Sequence, residues 1–123
     1  MNETEFLQEI SRHWPDAMSS TGSSSTTVAL ADEAVESFPA SAPLWTMRGD
    51  LLQLADADSG YELGEVERCY RKAIESDPLY APAYEELGRF LALVMDNRRK
   101  AKRFLEKARR LRRSATTASS SNG

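Results

Sequence analysis

Catalysis needs a nucleophile with a base, an acid-base pair or a metal cluster, and this chain supplies few of the parts. It holds one histidine, His13, and one cysteine, Cys69. Fifty-six positions separate them, so a nucleophile with a positioned base would have to come from unrelated segments. The acidic series Asp56, Asp58, Gly60, Glu62 and Glu67 has part of a calcium-loop pattern. The sharp-turn glycine falls one residue early, with Tyr61 after it, and the series reads as an acidic solvent loop. No glycine-rich phosphate loop follows a strand, and no strand is expected. Asn2-Glu3-Thr4 has the form of a glycosylation sequon, which carries no meaning in a cytoplasmic protein. A lone cysteine excludes an internal disulfide, and Cys69 beside Tyr70 reads as a small packing residue. The expectation is a protein that is not an enzyme and that uses no cofactor and no metal.

Charge is more telling. Up to Asn97 the chain has 18 acidic and 6 basic residues, whereas from Arg98 onward it has 10 basic residues against Glu106 alone. The net charge of −3 therefore conceals a long dipole. Arg98, Arg99, Lys100, Lys102, Arg103, Lys107, Arg109, Arg110, Arg112 and Arg113 surround an apolar stripe of Ala101, Phe104, Leu105, Ala108 and Leu111. One reading is a polar outer face on a terminal helix, with cations complementing its C-terminal dipole. The other is an electrostatic footprint for nucleic acid or another polyanion. No aromatics interleave the cations for base stacking, and the acidic remainder would repel phosphate, which weakens the nucleic-acid case.

The cations sit in a unit that recurs. Residues 34–52 align with residues 73–91 at an offset of 39, with 8 of 19 positions identical. Among the matches are Ala34 with Ala73, Pro39 with Pro78, Pro43 with Pro82, Gly49 with Gly88 and Leu52 with Leu91. Trp45 and Tyr84 form an aromatic pair at the same offset. A recurrence of this size marks a supersecondary unit that must stack on copies of itself to bury its apolar face. Within the second copy Tyr84, Leu87, Gly88 and Leu91, then Ala101, Leu105 and Ala108, keep the three-and-four spacing of buried helix faces.

This pattern resembles the tetratricopeptide repeat, whose signature is a large aromatic, Leu-Gly three residues on, then Ala, a bulky apolar residue, Ala and Pro. The first copy carries it at Trp45, Gly49, Leu52, Tyr70, Ala73 and Pro78. The resemblance implies an all-α, right-handed solenoid of antiparallel helix pairs, about three repeats with the first degenerate. Gly49 and Gly88 would let paired helices approach closely, and Pro39 and Pro78 would end the second helices. Three departures stand out. Arg48 replaces the leucine found at Leu87, so its head must escape along its stem or find a carboxylate. The middle unit is longer than usual by five residues, within Ala55 to Gly64. Arg113 stands where a proline would end the last helix.

The expected organisation is one domain over residues 1–113. Residues 1–41 form the degenerate repeat, with an amphipathic helix from Glu3 to about His13 on the Phe6, Leu7, Ile10 and Trp14 stripe, capped by Asn2 or Thr4. A mobile Ser/Thr loop is expected over 19–27. Residues 42–80 and 81–113 form the clear repeats, and 114–123 a disordered tail. No apolar run approaches the ~18 residues of a membrane span, and the acidic N-terminus lacks a signal peptide's basic region, so a cytoplasmic location is expected.

By resemblance, the first helix of each unit lines a concave partner groove. The register places Thr46, Asp50, Gln53 and Leu54 there from one unit and Glu85, Arg89, Ala92 and Leu93 from the next. The groove lacks the Lys, Arg and Asn carboxylate clamp known in the family, and its acids favour a neutral or basic segment with apolar anchors. The functional expectation is a protein-interaction module or adaptor. Alternatives are polyanion binding through the basic patch of Arg98, Arg99, Lys102, Arg103, Arg109, Arg110, Arg112 and Arg113, head-to-tail self-association, or a secretion-type chaperone.

Overall fold

The computed structural model describes residues 1–14, 25–54 and 62–121, with the side chains of 25 and 116–121 left aside. Among these residues there are six helices: α1 (Glu3–Arg12), α2 (Ser25–Ser37), α3 (Ala42–Leu54), α4 (Leu63–Ser76), α5 (Ala81–Leu93) and α6 (Arg98–Ser121). No strand occurs among the described residues, so the all-α expectation holds.

Each helix packs on the next, and α3 also touches α1 and α5. Side-chain pairs fix the directions. Phe6 meets Phe38 edge-on while Thr27 Oγ1 donates to the His13 carbonyl, so α1 and α2 run antiparallel. Ser76 reaches the Pro39 carbonyl while Arg48 reaches Cys69, which sets α3 against α4. In the last pair a Cβ on Gly88 would meet Leu105, and Glu85 pairs with Arg112.

The repeat is visible bond by bond. Trp45 Nε1 donates to the Pro39 carbonyl and Tyr84 Oη to the Pro78 carbonyl, each at 2.8 Å and each six residues back. Phe38 N–H to Ala34 O and Asp77 N–H to Ala73 O close α2 and α4 in the same way. The two prolines follow at once, where the chain can no longer continue a helix. A Cβ built on Gly49 would lie 2.7 Å from Tyr70 Cε1, and one on Gly88 2.7 Å from Leu105 Cδ2. Tyr70 and Leu105 each stand three residues before a buried alanine, Ala73 and Ala108. Hydrogen at both glycines is thus what lets each helix pair close.

Asn2 caps α1 in a full capping box with Glu5, and Phe6 and Ile10 are buried. Ser41 donates to Glu3 at 2.6 Å and tethers α1 to the start of α3. Arg48 finds its carboxylates. Its Nε donates to Asp32 at 2.7 Å, its NH1 to Glu65 at 2.7 Å, and its side chain is only 12% exposed. Burial alone would lower the guanidinium pKa, but the hydrogen bonds to Asp32 and Glu65 prevail and raise it. Burial likewise opposes the charged form of Glu65, yet Arg48, helped by Arg68, holds that carboxyl below its usual range. Cys69 is fully buried, and burial pushes its thiol up to about 11 despite the neighbouring Arg48, consistent with a packing role.

Three expectations need correction. The last part of the expected 19–27 loop is helical: α2 begins at Ser25, and Thr27 is buried. The expected insertion ends earlier than Gly64, because Leu63 and Gly64 open α4. Finally, α6 does not stop at Arg113 but continues to Ser121, since no proline or glycine interrupts Ala115 to Ser121. Residues 15–24, most of the acidic series (Asp56, Asp58 and Gly60) and residues 122–123 lie outside the described residues.

Candidate functional site

The face shared by α3 and α5 gathers the polar residues of the expected groove. Asp50 on α3 accepts a hydrogen bond from Tyr70 Oη of α4 at 2.6 Å, and Gln53 Nε2 donates to the same hydroxyl at 2.5 Å. Glu86 on α5 is the neighbouring carboxyl that acts on Asp50. A like charge beside a buried carboxyl disfavours its ionised form. Burial is the main influence on Asp50. Together with Glu86 it pushes the acid up to about 7, against the Tyr70 hydrogen bond and the Arg89 charge. Burial, with the charge of Asp50, also raises Tyr70, which keeps its proton and acts as a donor.

Next to this pair, Arg89 bonds Glu85 at 2.6 Å and Glu86 at 3.5 Å, and Arg112 of α6 also pairs with Glu85. Apolar side chains flank the polar strip. Leu54 and Leu93 occupy the same place in the two repeats, at the ends of α3 and α5, and are 45% and 83% exposed. Val94 and Met95 extend the exposed apolar edge. Ala92 is half-buried against the core.

Of the eight residues assigned to the groove, Thr46 does not serve. It is buried, and its hydroxyl donates to the Ala42 carbonyl of its own helix at 2.8 Å. Asp50 is more enclosed than a solvated helix face would be, and Gln53 is turned to Tyr70. The sequence offers Tyr70 as a signature residue of the first copy and not as part of the groove. Its hydroxyl was the available signal, because the other copy has Leu105 at that place.

Along α6 the patch residues Arg98, Arg99, Lys102, Arg103, Arg109, Arg110, Arg112 and Arg113 are all exposed. The helix also carries a shallow pocket of about 350 Å³ lined by Glu106, Arg109, Arg110 and Arg113. Phe104 turns inward to Tyr84, and the Arg71 guanidinium lies 5.6 Å over its ring. Among the described residues no His, Cys, Asp and Glu group has a metal-binding arrangement, and no helix is long and apolar enough to cross a membrane. No family model matches the chain, and no curated protein matches it significantly.

Proposed function

We propose that this chain is a non-catalytic protein-interaction module of the tetratricopeptide type that takes a partner segment along the α3/α5 face. The observation that carries the reading is the pairing of exposed Leu54 and Leu93, 39 residues apart, beside the Asp50–Glu86 carboxyl pair. Apolar anchors next to acidic side chains suit a segment with bulky apolar side chains and a lysine or arginine between them. A cytoplasmic adaptor is the setting in which such a module works.

The test is capture of partners from a nuclease-treated native lysate with wild type and with Leu54→Ser/Leu93→Ser. Both residues are exposed, so the fold should survive the change. A partner held by the wild type and lost by the variant supports the groove. Equal retention by both proteins overturns it.

A second reading, nucleic-acid or polyanion binding, is favoured by the exposed row of cations on α6. It requires affinity that falls steeply with salt and vanishes on charge reversal of Arg109, Arg110 and Arg113. No residue specifically supports the secretion-type chaperone.

A further inference from the structure

The last repeat has an open place that the middle repeat has filled. Between α5 and α6 lies a crevice of about 170 Å³, lined by Glu85, Arg89, Leu105, Ala108, Arg109 and Arg112. Arg89 is the repeat counterpart of Asp50, 39 residues on, and Leu105 that of Tyr70, 35 residues on. In the middle repeat α5 covers both counterparts: Glu86 acts on Asp50 as the neighbouring acid, and Phe90 packs its ring 6.3 Å from that of Tyr70. No helix covers the same place on α5 and α6 among the described residues. Its apolar floor of Leu105 and Ala108 is rimmed by Arg89, Arg109 and Arg112 together with Glu85.

The opposite end of the stack has the complementary charge. Helices α1 and α2 hold six carboxylates, those of Glu3, Glu5, Glu9, Asp32, Glu33 and Glu36, against Arg12 alone. Glu33 and Glu36 stand exposed on one stripe of α2 with Thr26 and Ala29, an acidic helix face with a small apolar component. Arg12 is already paired with Glu9 at 2.9 Å.

We propose that the α5/α6 crevice and the α6 cations around it dock the acidic α1–α2 end of a second copy of this chain, so that copies associate head to tail. Such a contact joins two different surfaces and therefore extends into open chains rather than closing as a dimer. The crevice shares Glu85 and Arg89 with the edge of the α3/α5 face, yet the contact does not depend on the groove reading.

The experiment is sedimentation velocity of nuclease-treated protein over a concentration series at low and high salt. Wild type, Glu33→Gln/Glu36→Gln and Arg109→Gln/Arg110→Gln/Arg113→Gln are compared, all substituted residues being exposed. Wild type is expected to grow in mass with concentration at low salt and to return to a single chain at high salt. Each neutralised variant is expected to stay a single chain, its association weakened roughly tenfold or more by loss of several charge pairs. An equimolar mixture of the two variants keeps one intact end of each kind and should stop at two copies. Wild type that remains a single chain at low salt, variants that assemble as it does, or a mixture that stays monomeric would each overturn the proposal. So would growth seen only in a sample left without nuclease treatment, which would assign the cations to nucleic acid.

Discussion

Asp50, Gly49 and Arg48 are consecutive on α3, yet each answers to a different force. Arg48 is a cation in a leucine's place, sustained by two carboxylates. Arg48→Ala strips both partners and leaves a hole, and about 2–3 kcal/mol of stability should be lost in urea denaturation. Arg48→Leu, the residue type of the second copy, should cost less because it refills the volume. Gly49 is governed by contact. Gly49→Ala drives a methyl into the Tyr70 ring, which is pinned by Asp50 and Gln53, and should cost about 1–3 kcal/mol in spite of alanine's better helix propensity. Gly64→Ala meets nothing within 4 Å and should stabilise α4 by up to about 1 kcal/mol.

Asp50 makes stability depend on pH with an unusual sign. Its folded pKa, about 7, lies above the ordinary 3.8, so the folded chain binds this proton more tightly than the unfolded chain. The stabilisation is complete below the unfolded value and is lost as pH rises through about 7. Glu65 has the opposite shift, and its contribution is lost as pH falls through its lowered folded pKa. Asp50→Asn keeps an acceptor for Tyr70 and should flatten the decline between pH 4 and pH 7, raising the melting temperature at pH 8. An unchanged pH profile in Asp50→Asn would show that the acid titrates normally.

At the scale of elements, α1 depends most on its cap. It is ten residues long, too short to persist without the Asn2 box and the burial of Phe6 and Ile10. Asn2→Ala should cost about 1 kcal/mol and accelerate amide exchange in α1 while α3 and α5 keep their protection. Helices α3 and α5 and the ends of α2 and α4 were legible because the 39-residue offset gives their register twice, and because Pro39 and Pro78 mark two ends. The course of α6 was not, since Ser- and Thr-rich segments are read as disordered when nothing in the composition favours a helix. Thr46 was misplaced for another reason. The register puts it one turn before Asp50, but only the packed structure shows that its hydroxyl is satisfied by Ala42 and its side chain buried.

At the scale of the whole molecule, the six helices of the described residues, each packed on the next, separate acidic and basic ends and place a mixed strip between them. The charge separation was plain in the sequence. What was not plain was that Tyr70 on α4 would reach Asp50 on α3, because the segment joining those helices departs from the repeat and alters the offset from 39 to 35. The strip is where the functional proposal stands or falls. Hydrogen exchange of the full chain, with and without a captured partner, tests it most directly. Protection gained in residues 50–54 and 85–95 is the expected result. Protection confined to residues 98–121, or none in either helix of the strip, would contradict it.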